Sequence, residues 1–151
     1  MRIAVACDHA GFPLKQPILD VLAQIGIEAI DLGVDSPTSV DFPDYAARVG
    51  RALQAQEADR GILICGSGVG MAIAANKLAG VRASVTHDTY SAHQGVEHDS
   101  MNVMCLGSRV IGEAVARELV HAFVHARFAQ EERFIRRLEK INQLERQPKP
   151  R

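Results

Sequence analysis

The 151-residue chain lacks the marks of several protein classes. Its net charge is only −1 at pH 7, so its overall balance gives no attraction to nucleic acid or to a membrane surface. No apolar run is long enough to span a bilayer. The start, Met1-Arg2-Ile3-Ala4-Val5-Ala6, reads directly as a strand and does not resemble a signal peptide. The three cysteines, Cys7, Cys65 and Cys105, form no Cys-x-x-Cys pair. An odd, widely spaced set fits reduced thiols better than a disulfide framework, so the expected location is cytoplasmic. Internal repeats and an interdomain linker are missing as well.

The composition, 47% hydrophobic and 23% charged, is that of an ordinary globular protein with a real core. A single domain is expected over 1–146, with 147–151 a disordered tail. Basic charge gathers toward the C-terminus: from Arg127 onward there are eight Lys or Arg and four Glu.

Short apolar runs alternate with segments of helical period. Strands are expected at Arg2 to Cys7, Ile27 to Leu32, Gly61 to Cys65, Val81 to Thr86 and Asn102 to Leu106. Helices are expected at Phe12 to Ile25, Asp44 to Glu57, Met71 to Leu78, Tyr90 to Val96, Gly112 to Ala126 and Gln130 to Glu145. This alternation predicts an α/β fold, a three-layer α/β/α sandwich of Rossmann-like type on a five-stranded, mainly parallel sheet. Right-handed crossovers bring every strand's C-terminal end to one rim, where ligands bind. The unusual polar residues follow those ends: Cys7-Asp8-His9, Cys65-Gly66-Ser67, His87-Asp88 and Gly107-Ser108-Arg109.

The most informative stretch is Gly61-Ile62-Leu63-Ile64-Cys65-Gly66-Ser67-Gly68-Val69-Gly70. A buried strand runs into a glycine-rich loop with a cysteine at the junction. Met71 breaks a dinucleotide fingerprint, the lysine of a nucleoside-triphosphate loop is missing, and Cys65 replaces the first glycine of a serine elbow. What remains is a nest of N–H donors, Gly66 to Gly70, facing an oxyanion, or else a tight turn without a ligand. Most buried cysteines are inert, and Cys7 and Cys105 are expected to be so. Cys65 differs because it sits beside the nest, where a helix N-terminus favours the thiolate.

The histidines are less decisive. His87, His93 and His98 lack metalloprotease spacing, and an acid/base histidine at the rim is the better reading. His121 and His125 read as a solvated helix face. On the last helix Arg133 and Arg137 lie one turn apart beside Arg136, a spacing that suits a phosphate or a plain solvated face. Phe134, Leu138 and Ile141 line another face, expected to dock on a second subunit and carry the arginines to its rim.

Together these motifs resemble the ribose-5-phosphate isomerase B family, which includes the galactose-6-phosphate isomerase subunits. The resemblance runs from Ile3 to about Ile141. It is carried by Cys7-Asp8-His9-Ala10-Gly11 with Lys15, by the glycine loop, and by Ala74-Ala75-Asn76-Lys77. Tyr90-Ser91-Ala92, His98 with Asn102, and Gly107-Ser108-Arg109-Val110 complete it. The resemblance implies aldose–ketose isomerisation of a phosphorylated sugar, without metal or other cofactor, at a site shared across a homodimer or a dimer of dimers. Ribose 5-phosphate and ribulose 5-phosphate are the first expected pair. Erythrulose, allose or galactose phosphates are alternatives, as is a non-catalytic anion- or nucleotide-binding module.

The resemblance also implies roles. Cys65 moves the proton between C1 and C2, with Ser67 in support. The amides of Gly66, Gly68, Val69 and Gly70 hold the enediolate oxygen. His98 opens the sugar ring. Asp8, His9 and Asp99 contact substrate, and Arg109, Arg133 and Arg137 clamp the phosphate. Two positions depart from the family pattern. Asp99 stands where Asn is frequent, and Phe42 where Tyr is frequent, and both bear on the choice of sugar.

Overall fold

Aliphatic runs too short for helices become strands, and the amphipathic stretches between them become helices. The computed structural model describes residues 1–146, so the expected tail at 147–151 lies outside the described residues. The elements are β1 (Arg2–Cys7), α1 (Phe12–Gln24), β2 (Glu28–Asp31), α2 (Phe42–Gln54), β3 (Arg60–Cys65) and α3 (Val69–Ala75). They continue with β4 (Ala83–Val85), α4 (Thr89–Asp99), β5 (Val103–Gly107), α5 (Glu113–His125) and α6 (Glu132–Arg146).

The five strands form one sheet in the order β2-β1-β3-β5-β4, and every pairing is parallel. The central strands are buried on both faces, which is why they read as unbroken apolar runs. Alternate residues feed two cores. Ile3, Val5, Ile62, Ile64, Met104 and Leu106 pack against α1, α4 and α5. Ala4, Ala6, Leu63, Cys65, Val103 and Cys105 pack against α2 and α3. The expected three-layer sandwich results, and Cys7 lies on the opposite sheet face from Cys65.

The chain leaves β1 toward β2 on one side and returns to β3 on the other. That reversal opens a crevice above the C-terminal ends of β1 and β3, where loops diverge instead of packing side by side. Asp8 and His9 follow β1, and the glycine loop follows β3, so topology alone sets them at one crevice.

Element ends differ from the sequence reading for local reasons. Helix α2 begins at Phe42, earlier than expected, because Pro43 fits a first helical turn. Helix α3 begins at Val69, where Gly68 takes the left-handed conformation with φ +80°. A side chain there would be strained and would also meet the Leu106 carbonyl carbon at 3.1 Å. Helix α4 is longer than expected. The Asp88 carboxylate caps its start by accepting the Ser91 N–H at 2.7 Å, and Ser100 ends it at φ 54°. Helix α6 stands outside the sandwich. Phe134 was expected to face a second subunit, but it is buried at 3% exposure against α4 of its own chain. Ile141 and Leu144 remain exposed.

Candidate active site

The β1 loop is closed by its own carboxylate. Asp8, 6% exposed, accepts the Gly11 N–H at 2.9 Å, and its amide donates to the Ile64 carbonyl at 3.2 Å. The Cβ of any larger residue at Gly11 would overlap the Ile64 carbonyl oxygen, so this glycine lets the first turn press onto β3. Three bonds tie the β5 loop into the same place. The Ser108 amide donates to the Cys65 carbonyl at 2.9 Å, and the Arg109 amide to the Gly66 carbonyl at 3.0 Å. The Ser108 hydroxyl donates to the Ala10 carbonyl at 2.6 Å. Three strand ends are thus fastened to one another.

The crevice holds a cavity of about 430 Å³ lined by Asp8, His9, Phe42, Cys65, Ser67 and Arg109, with Gly66 and Gly70 in its wall. The Gly68 N–H donates to the Cys65 sulfur at 3.0 Å. A backbone donor aimed at sulfur stabilises negative charge there. The Ser67 hydroxyl is not hydrogen-bonded to that sulfur; it accepts the Val69 N–H at 3.2 Å and helps start α3. Two of the amides expected to serve an oxyanion, those of Gly68 and Val69, therefore already have partners. His9 Nδ1 accepts the Val40 N–H at 3.2 Å, which leaves the ring proton on Nε2 as a donor. The Arg109 guanidinium lies over Gly66, where a Cβ would come within 3.4 Å of it.

The other two cysteines are sealed in the cores. Burial pushes both the Cys7 and Cys105 thiols above the ordinary range, as expected for inert positions. Lys15, carried by the first motif, is buried on α1. Burial would pull it down, but the hydrogen bond and charge of Asp31 at 2.8 Å outweigh that and hold it above its ordinary value. It braces the loop after β2 by donating to the Val34 carbonyl at 2.7 Å.

The remaining site candidates form a second group. His98 lies at the C-terminal end of α4, a helix of 11 residues that starts near the rim and runs back along the sheet. From Thr89 to His98 the helix advances about 14 Å at 1.5 Å per residue, which removes His98 from the rim. Its ring stacks on Phe134 with centroids 4.2 Å apart and planes 12° apart. The guanidinium groups of Arg133 and Arg137 lie 4.5 and 5.9 Å from the centre of the same Phe134 ring. Asp99 borders a separate cavity of about 660 Å³ between β4, α4 and α6, lined also by Arg82, Ile141 and Leu144. That larger cavity contains no cysteine.

The site candidates therefore divide in one chain. Asp8, His9, Cys65, Gly66, Ser67, Gly70 and Arg109 share the crevice, with Gly68 and Val69 in its loop. His98, Arg133 and Arg137 are gathered around Phe134, and neither they nor Asp99 line the crevice. His87 and Asp88 are not free reactive groups. His87 Nε2 accepts the Gly107 N–H at 2.9 Å, and Asp88 is the cap of α4. The three histidines weighed for a metal do not converge: His93 pairs with Glu97 at 3.0 Å, and no metal-holding cluster occurs among the described residues. His121 and His125 stack on an exposed helix face, as expected. Gln94 was missed by the sequence reading. Its carboxamide bonds His98 at 3.1 Å, and its i,i+4 spacing to that histidine was the available signal.

A ribose/galactose isomerase family model matches residues 3–141. Over 127 residues the chain is 46% identical to ribose-5-phosphate isomerase B of Escherichia coli (strain K12), covering 84% of this chain and 85% of that protein. It is 41% identical over 130 residues to the D-erythrulose-4-phosphate isomerase of Pectobacterium atrosepticum, covering 85% of each. The structure of Clostridium thermocellum ribose-5-phosphate isomerase B superposes with a TM-score of 0.93 at 42% identity, covering 96% of this chain and 97% of that one.

Proposed function

The chain belongs to the ribose/galactose isomerase family and is a sugar-phosphate isomerase, and from that premise we propose the ribose 5-phosphate to ribulose 5-phosphate interconversion as its reaction, with Cys65 as the base. The observation that carries this reading is the Gly68 N–H on the Cys65 sulfur at the wall of the rim cavity. In the open-chain aldose, the thiolate takes the proton from C2 and later returns it to C1. A proton passes from O2 to O1 in the same conversion, through a cis-enediolate. The negative charge that develops on oxygen calls for fixed donors, each worth roughly 3 kcal/mol. The loop amides of Gly66, Ser67 and Gly70 and the Nε2–H of His9 suit that task. Asp8 faces the sugar hydroxyls, and Arg109 faces the phosphate from the far side of Gly66.

The division of the site supports a shared assembly. A two-fold dimer can bring the His98, Arg133 and Arg137 group of one copy to the crevice of the other. His98 then acts on the sugar's ring and oxygen atoms, and the two arginines complete the phosphate clamp. A remote phosphate grip orients the reacting carbons without touching them. The three free thiols support a reducing, cytoplasmic setting, and no described helix is long and apolar enough to cross a membrane.

The test is proton transfer itself. Cys65→Ala should lose about 10³-fold in turnover and stop incorporating solvent deuterium at C1 or C2, while still binding the sugar phosphate. Undiminished deuterium incorporation in that variant rules out Cys65 as the base. A second substrate, D-erythrulose 4-phosphate, has support from the Pectobacterium relative, and the departures at Asp99 and Phe42 leave the choice of sugar open. Turnover across a panel of four-, five- and six-carbon sugar phosphates separates the two readings.

A further inference from the structure

Gln94 carries no role in the reaction described above, yet it is bonded to the two residues at the end of α4. Its side-chain nitrogen lies 3.1 Å from His98 Nδ1 and 3.3 Å from Asp99 Oδ2. A carboxylate accepts hydrogen bonds and cannot donate them, so the end of the amide facing Asp99 is the NH2 and not the oxygen. The same NH2 therefore donates to His98 Nδ1. A nitrogen that accepts a hydrogen bond carries no proton, and the ring's proton must sit on Nε2. Phe134 covers one face of the ring, with Arg133 and Arg137 against Phe134. Glu97, on the same helix, is occupied with His93.

We propose that Gln94, oriented by Asp99, is a positioning residue that holds His98 as the Nε2–H tautomer, so that this histidine meets the sugar as a hydrogen-bond donor. The juxtaposition of Gln94, His98 and Asp99 is a property of these particular residues. Were residue 99 an amide, it could accept or donate, and the Gln94 carboxamide would be free to turn over. With Asp99 it is not. The inference rests on the reading that His98 acts on the sugar.

The consequence falls on one step. A five-carbon aldose 5-phosphate closes a five-membered ring through O4, and opening it breaks the C1–O4 bond while the anomeric hydroxyl loses its proton and O4 gains one. A four-carbon 4-phosphate has no hydroxyl placed to close such a ring and stays open. An imidazole whose sugar-facing nitrogen holds a proton can deliver it to O4 as the C1–O4 bond breaks, the anomeric proton passing to solvent. The Nε2–H tautomer therefore assists opening of the ring-closed substrate, whereas the open-chain substrate has no such step.

The experiment compares the full-length wild type with Gln94→Met and Gln94→Glu. Long-range proton–nitrogen NMR on histidine-labelled protein reports the His98 tautomer, assigned by the loss of its signals in His98→Gln. Wild type should show Nε2 protonated. Gln94→Glu offers an acceptor in place of a donor, so the proton should move to Nδ1. The same variant should lower the ratio of turnover on ribose 5-phosphate to turnover on erythrulose 4-phosphate by about tenfold, the scale of one hydrogen bond. Gln94→Met, which neither donates nor accepts strongly, should fall between. A wild-type His98 protonated on Nδ1, or a tautomer unmoved by Gln94→Glu, overturns the proposal. So does an equal change on both sugars, which would mark Gln94 as merely structural. Unchanged turnover of both sugars by His98→Ala would instead remove His98 from the reaction, a separate failure that the tautomer measurement distinguishes.

Discussion

Mixing two inactive variants should restore activity, because the proposed site draws on two copies of the chain. Cys65→Ala removes the base from the crevice. A double variant, His98→Ala with Arg137→Ala, removes the acid and clamp group while leaving Cys65 in place. The separation of His98 from the rim follows from its place near the end of α4, about 14 Å from Thr89 at 1.5 Å per residue, far beyond side-chain reach. If subunits of the two variants exchange at random, half of the dimers are mixed. Each mixed dimer holds one site with both defects and one with none. Recovered activity should therefore approach about one quarter of wild type, a value set by two-fold symmetry. The assay is ribulose 5-phosphate formation before and after exchange at equal concentrations, with mixed dimers counted by native mass spectrometry. Mixed dimers with no recovery would refute the shared site, as would a fully active monomer.

Three further outcomes follow from the same geometry. Gly68→Ala places a side chain at φ +80° against the Leu106 carbonyl and should cost about 1–2 kcal/mol in urea unfolding, with a further loss of turnover as the Gly68 amide leaves the Cys65 sulfur. An unchanged urea midpoint would show that the loop has room the structure does not grant it. Burial, only partly opposed by the nearby Asp88 charge, holds His87 below its ordinary value of about 6.5. The unfolded chain then takes up that proton first, so stability present above about pH 6.5 declines as pH falls toward the lowered folded value. His87→Gln should flatten that decline in urea midpoints measured between pH 7 and pH 5, and an identical slope in both proteins counts against it. Arg137→Ala should raise KM for the sugar phosphate about tenfold with a smaller effect on kcat, and an unchanged KM removes Arg137 from the clamp.

Much of the fold was legible because strands and helices answer to different periods. The apolar run Gly61 to Cys65, short and closed by a glycine loop, reads as a doubly buried strand, and Leu14, Ile18, Leu22 and their neighbours read as one face of a helix. Ends were less legible, since they depend on caps and turns of one or two residues. Asp88 and Ser100 together lengthened α4 beyond its apolar pattern, and that extension keeps His98 on the helix. Phe134 shows a different limit. Its periodic spacing marked a buried face, but spacing carries no information about which surface does the burying.

The sequence by itself determined the alternation of elements, the rim at which loops gather, and the pairing of a thiol with a glycine loop. These are local properties, set by side-chain period and backbone freedom. Only the tertiary structure decided that the Gly68 amide points at the Cys65 sulfur, and that His98, Phe134 and the arginines form a unit apart from it. It also decided that Gln94 turns its NH2 toward His98. Such relations join residues through space, and they become fixed only when packing leaves each side chain one place to go.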